Sequence, residues 1–200
     1  MREGKRVAED KHVRRRPVYQ GKILDLSLET VDLPNGESVE LEIARHLGGT
    51  AVVALDDQGR VCLLRQYRHA AGGWLWELPA GKLEPGETPF NTARRELSEE
   101  AGVAADQWTD LGTLHSSPGI LTEVIHLYLA GGLQRASQQH ETHEVIEIHW
   151  LPFGQVLDRC RDGTITDAKT LIGLFRAQAA REETGRPDTA DQEGPGLGST

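Results

Sequence analysis

The chain has 200 residues, 38% of them apolar and 26% charged, with a formal net charge of -9 at neutral pH. That length suits one domain, or one domain with loose ends, and the composition is that of an ordinary water-borne protein with a sizeable core. The negative charge argues against broad binding to nucleic acid or anionic membrane, though not against an anionic ligand held by a few cations or metal ions.

Residues 1–17 are charged and aperiodic and read as a mobile arm with no apolar signal segment. Residues 18–46 read as an N-terminal antiparallel strand region, with strands near 18–32 and 38–46 about the turn signal Leu33-Pro34-Asn35-Gly36. A main domain is expected over 47–181. Thr50 to Leu55 and Val61 to Tyr67 are short apolar runs separated by Asp56-Asp57-Gln58-Gly59, which predicts a central hairpin. Trp74 to Leu78 and stretches 109–115, 123–130 and 145–151 complete a β-rich middle. In the last, Ile146, Ile148 and Trp150 share one face. A helix is expected over 88–101, with Thr88 as N-cap, Pro89 in the first turn and Gly102 as the stop. Further helices are expected over 153–161 and 167–181, the latter with an apolar stripe of Leu171, Ile172, Leu174 and Phe175. Residues 182–200 read as a disordered tail. No run is long enough for a membrane span, and the cytoplasm is the expected compartment. Cys62 and Cys160 lie in apolar patterns and are expected as buried free thiols. Strands mixed with a few helices indicate an α/β or α+β layered fold.

The chemistry concentrates in Gly81 to Val103. Glu96, Glu99 and Glu100 stand at i, i+3 and i+4, so a helix puts them on one face. Three like charges there repel unless cations offset them, and hard oxygen donors are what Mg²⁺ or Mn²⁺ takes. Arg95 lies about 100° around the helix from Glu96 and can reach back to brace Glu87. Gly81 and Gly86 let the preceding loop bend and turn a carbonyl such as that of Ala80 toward the same ion. A solvated acidic helix face would explain the carboxylates alone, but not the loop glycines and the arginine.

The stretch reads Gly, five residues, Glu, seven residues, Arg-Glu-apolar-x-Glu-Glu-x-Gly-apolar. In this it resembles the Nudix signature at all seven fixed residues (Gly81, Glu87, Arg95, Glu96, Glu99, Glu100 and Gly102). Typical residue frequencies put a chance match below about one in a million. The resemblance implies a mixed β-sheet sandwiched between helices and hydrolysis of a nucleoside diphosphate linked to another moiety. It also implies metal held by Glu96, Glu99, Glu100 and the carbonyl of Ala80. Divalent ions would neutralise the phosphates and make attacking water more acidic, and a free carboxylate would take the proton.

Flanking features narrow the substrate. Pro118 and Gly119 lie in Ser116 to Glu123, and Leu64-Arg65-Gln66-Tyr67-Arg68 leads into Trp74-Leu75-Trp76-Glu77-Leu78-Pro79-Ala80-Gly81. With Asp167-Ala168-Lys169-Thr170 they resemble the ADP-ribose pyrophosphatase branch, over about residues 18–180. Hydrolases of GDP-mannose and other nucleotide sugars share much of this. Arg65 and Arg68 are candidates for phosphate or terminal ribose, or else surface cations or partners of Glu77. Tyr19 and Trp74 are candidates for stacking on a base, or else core residues. Glu77, Pro118 and Gly119 complete the candidate substrate residues. His140-Glu141-Thr142-His143-Glu144 lacks a full zinc ligand set. By the resemblance this stretch supplies a catalytic glutamate, Glu144 or Glu141, with Glu99 a further candidate. The expected cofactor is Mg²⁺ or Mn²⁺, the expected partner a small nucleoside diphosphate sugar, and the resemblance implies a homodimer. A non-catalytic nucleotide sensor is the reading from a different class, and it conflicts with the presence of all three carboxylates.

Overall fold

A computed structural model describes residues 13–137 and 145–183. The chain divides into two compact units, Met1–Gly48 with His115–Val124, and Gly49–Leu114 with Ile125–Thr200.

The first unit is built on three antiparallel strands in sequential order, β1 (Arg14–Gln20), β2 (Leu24–Asp32) and β3 (Ser38–His46). The Asn35-Gly36 signal does make the β2–β3 turn, with Gly36 at φ +87° and Leu33 N donating to Glu37 O at 2.7 Å. One strand was expected over 18–32; two form, and β1 starts earlier, so Arg14 to Pro17 belong to a strand rather than to an arm. The reason is a buried polar cluster. Glu29 is 4% exposed and takes two bonds from Arg45 Nη2, at 2.6 and 2.7 Å. Ser27 donates to Glu29 at 2.8 Å and accepts from Arg15 Nε at 3.1 Å, which ties β1 down. Burial pushes the Glu29 carboxyl up, but the Ser27 and Arg45 bonds hold it below the usual carboxylate range.

The second unit holds a four-stranded sheet in the order β7-β4-β9-β8 and a three-stranded sheet in the order β10-β5-β6. The strands are β4 (Gly49–Ala54), β5 (Arg60–Arg68), β6 (Gly73–Glu77), β7 (Ala80–Lys82), β8 (Val103–His115), β9 (Val124–Arg135) and β10 (Ile146–Pro152). The expected central hairpin does not form. Beyond a single bridge, Leu55 to Val61, β4 and β5 part into different sheets: β4 runs parallel to β9 and antiparallel to β7, while β5 lies between β10 and β6. Both runs are buried on both faces, which suits central strands with distant partners better than a solvated hairpin.

Three helices cover these sheets, α1 (Pro89–Ala101), α2 (Phe153–Arg161) and α3 (Ala168–Glu183). Val52, Cys62 and Leu64 pack with Ala93 and Leu97 of α1. Val53, Leu63 and Leu127 pack with Val156 and Leu157 of α2 and Leu174 and Ala177 of α3. Alternation along each strand thus sends successive side chains to α1 or to the α2–α3 pair, and the sheets are sandwiched between helices as expected. On α3 the buried positions are Thr170, Gly173, Leu174 and Ala177, and Phe175 is 40% exposed, so it leaves the predicted stripe. A Cβ on Gly173 would lie 2.8 Å from Leu78 Cδ1, so the helix backbone approaches closely there. Cys62 and Cys160 are free and buried, and burial with the nearby Glu100 charge pushes the Cys62 thiol up to about 12. No helix among the described residues is long and apolar enough to cross a membrane.

Candidate active site

Local signals fix where α1 begins and ends, and hence which way its carboxylates face. Thr88 Oγ1 accepts from Asn91 N at 3.3 Å, Pro89 occupies the first turn, and Gly102 closes the helix at φ +66° with its N–H on Ser98 O. Ala93 and Leu97 then point into the core. Glu100, one turn further, lies against the short strand β7. It is 2% exposed and its Oε2 accepts from Ala80 N at 2.7 Å. Glu96 lies over Gly81 so closely that a Cβ there would sit 1.8 Å from Glu96 Oε1. A side chain at 81 would thus displace the Glu96 carboxylate, a restriction set by close approach and not by backbone angle. β7 is itself fixed by pairing Ala80 with Ala51 and Gly81 with Thr50.

Arg95 joins the loop to the helix. Its Nε and Nη2 each donate to Glu87 at 3.2 Å, and Nη2 reaches Lys82 O at 3.3 Å. Its Nη1 donates to Glu96 at 2.9 Å and to Glu99 at 3.0 Å. The hydrogen bonds to Glu87 lead in raising the Arg95 pKa, and the same bonds hold Glu87 below the usual carboxylate range. Glu87 and Arg95 therefore brace the loop, while Arg95 also offsets the charge of Glu96 and Glu99.

The donor set fits a hard divalent cation: carboxylate oxygens on one helix face, beside a backbone turn opened by a missing side chain. Among the described residues no three metal-ligating side chains are already gathered into a cage, and Arg95 occupies oxygens of Glu96 and Glu99. A bound cation would compete with Arg95 for those oxygens.

Residues 65 and 68 are an odd number of positions apart on β5, so alternation sends their side chains to opposite faces. Arg68 shares the α1 face with Cys62 and Leu64. Its Nε and Nη2 donate to Glu77 at 2.7 and 2.9 Å. Arg65 lies on the α2–α3 face, 5.3 Å from the Trp74 ring centroid and 3.6 Å from Glu147. Arg65 and Trp74 therefore share the face of β5 and β6 opposite to that of Arg68. Glu77 is 1% exposed and is held by Arg68 and by Lys169 Nζ. Burial raises its pKa, but those bonds and charges outweigh it and leave the carboxyl below its ordinary value. Glu77 thus ties β5 and the start of α3 together through its carboxylate. Tyr19 is exposed on β1, and Pro118 and Gly119 form the exposed tip of a turn in which Ile120 N and Leu121 N donate to Ser117 O. These three belong to the first unit. Glu141, Glu144, His140 and His143 lie outside the described residues.

Sequence reasoning gave Asp167, Lys169 and Thr170 no role at the site. Asp167 Oδ2 accepts from Thr170 N at 3.0 Å and Thr170 Oγ1 at 2.6 Å, and Leu78 N donates to Thr170 Oγ1 at 2.9 Å. The signal was an aspartate three residues before a threonine at a helix start, which is a capping pattern.

Comparison with known proteins agrees with this geometry. The model of the NUDIX domain matches residues 45–171. An ADP-ribose pyrophosphatase of Bacillus subtilis is 36% identical over 83% of this chain and 91% of its own. An ADP-ribose pyrophosphatase of Mycobacterium tuberculosis is 36% identical over 88% of this chain and 86% of its own. A GDP-mannose pyrophosphatase of Cronobacter sakazakii is 34% identical over 68% and 80%. The solved structure of an ADP compounds hydrolase superposes with a TM-score of 0.77 at 21% identity, covering 92% of this chain and all of that one, a likeness of fold. Nudix hydrolases generally use divalent metal ions. With the family model spanning more than half of the chain and the signature carboxylates set around Ala80 and Gly81, the chain belongs to the Nudix family.

Proposed function

We propose that this protein hydrolyses the pyrophosphate bond of ADP-ribose, giving AMP and ribose 5-phosphate, with Mg²⁺ or Mn²⁺ as cofactor. The observation that carries the reaction type is the seating of Glu96 and Glu100 against the Ala80–Gly81 turn. The choice of ADP-ribose is supported by the relatives that bear that name at 36% identity over most of both chains.

Glu96, Glu99, Glu100 and the Ala80 carbonyl would hold the metal. A divalent ion there would supply neutralisation of the pyrophosphate charge and a more acidic attacking water. Arg68 lies on the α1 face, and its side chain is 41% exposed, so it can meet a phosphate oxygen while still bonded to Glu77. Proton acceptance is assigned to Glu144 ahead of Glu141. Glu99 is the alternative, and its 37% exposed side chain leaves it open to solvent. The purified protein with Mg²⁺ should convert ADP-ribose to AMP and ribose 5-phosphate, and excess chelator should abolish turnover until Mg²⁺ or Mn²⁺ is restored. Undiminished turnover in chelator would contradict the assignment.

Hydrolysis of GDP-mannose is the second reading, favoured by relatives of that name at 34% and 32% identity. The two buried free thiols suit a reducing compartment such as the cytoplasm. A homodimer is supported by the exposed apolar side chains Val18, Tyr19 and Ile23 in the first unit. Light scattering should give twice the chain mass, and a monomer mass would count against the dimer.

A further inference from the structure

The segment from Glu77 to Gly81 is contacted at every residue by side chains or backbone of β4, β5, α1 and α3. The Glu77 carboxylate takes Arg68 of β5 and Lys169 of α3. Leu78 N donates to Thr170 Oγ1 at 2.9 Å, and Pro79 O accepts from Val52 N of β4 at 2.9 Å. Ala80 N donates to Glu100 at 2.7 Å, and Gly81 lies under Glu96. Two of these six contacts come from the start of α3, 92 residues away in sequence.

The α3 anchors are built with a direction. The Thr170 hydroxyl has one proton, and it goes to Asp167 Oδ2 at 2.6 Å. That leaves an oxygen lone pair fixed toward Leu78 N. Lys169 Nζ is shared between Glu77 and Asp167, so the capping aspartate also orients the lysine. Thr170 is fully buried, and Leu78 and Glu77 are each 1% exposed, so water does not compete for these bonds. Capping α3 would need only the Asp167 to Thr170 N bond. The extra bonds reach across to the backbone that carries Ala80.

We propose that Asp167, Lys169 and Thr170 are positioning residues that set the Ala80 carbonyl and, through Ala80 N, the Glu100 carboxylate for the divalent ion, an inference that rests on the metal assignment above. They act as partners behind the ligands, and the loss of such partners in metal sites typically lowers metal affinity or activity.

The test is Mn²⁺ binding to the full chain by calorimetry without substrate, alongside ADP-ribose turnover. Thr170→Val keeps the volume and removes the hydroxyl, and it should weaken Mn²⁺ binding about tenfold. Thr170→Ser should restore it. Leu174→Ala on the same helix serves as the packing control: it should lower Tm and leave Mn²⁺ affinity unchanged. If Thr170→Val does not fold, Lys169→Gln with Lys169→Arg as its rescue replaces it. Wild-type Mn²⁺ affinity in Thr170→Val or Lys169→Gln overturns the clamp, as does an equal loss in Leu174→Ala. A wild type that neither binds Mn²⁺ nor turns over ADP-ribose overturns instead the functional reading on which the clamp depends.

Discussion

Glu100→Gln should reduce kcat for ADP-ribose by about 10³-fold while leaving the protein folded, since a lost metal charge contribution of about 4 kcal/mol converts at 1.36 kcal/mol per tenfold. The substitution keeps shape and keeps an oxygen for Ala80 N, which now bonds Glu100 at 2.7 Å. It removes a negative charge from a side chain only 2% exposed, where a cation would find little water to replace it. Thermal unfolding close to that of the wild type, with turnover lost at saturating metal, is the expected pair of results. Full turnover in the variant would mean that Glu100 serves the fold alone.

Glu77→Ala should have the largest effect on stability. The carboxylate is 1% exposed and receives Arg68 through two bonds and Lys169 through another. Removing it takes the carboxylate from Arg68, whose side chain is 41% exposed, and leaves Lys169, 15% exposed, with Asp167. Breaking a buried pair costs roughly 3–5 kcal/mol, and the partial exposure of Arg68 puts this case near about 3 kcal/mol. A chain of this size should then lose roughly 6–12 °C in Tm. The interaction also has a pH signature. Burial pushes the Glu77 carboxyl up, and the Arg68 and Lys169 bonds more than reverse this, so its folded pKa lies below the ordinary 4.5. The stabilisation is complete above that value and disappears as pH falls through the lower, folded pKa. Below about pH 4.5, wild-type stability should fall more steeply than that of Glu77→Gln. Chemical denaturation across that range measures it, and parallel curves would show that Glu77 contributes no such linkage.

What could be read beforehand was whatever the chain encodes locally. Thr88, Pro89 and Gly102 mark the ends of α1 from within its own sequence, and the spacing of Glu96, Glu99 and Glu100 follows from helical period. The Asn35-Gly36 turn is local in the same way. The misread features depend on distant partners. β4 and β5 looked like a hairpin because each is apolar and a turn separates them. Their real neighbours are β9 and β7 for one and β10 and β6 for the other. Strand alternation then separates the candidates Arg65 and Arg68 onto opposite faces of β5. The α3 stripe was drawn through Phe175, whereas Gly173 and Thr170 face inward, a small and a polar residue that hydrophobic periodicity does not count. The Glu77–Lys169 and Leu78–Thr170 bonds span 92 residues each and leave no local trace beyond the Asp167 cap.

Substrate preference separates ADP-ribose hydrolysis from GDP-mannose hydrolysis. Initial rates for ADP-ribose, GDP-mannose and other nucleoside diphosphate sugars, measured at equal concentration with saturating Mg²⁺, compare the readings directly. The highest kcat/KM should belong to ADP-ribose, with AMP and ribose 5-phosphate as products. A higher kcat/KM for GDP-mannose, or no turnover of ADP-ribose, would contradict it.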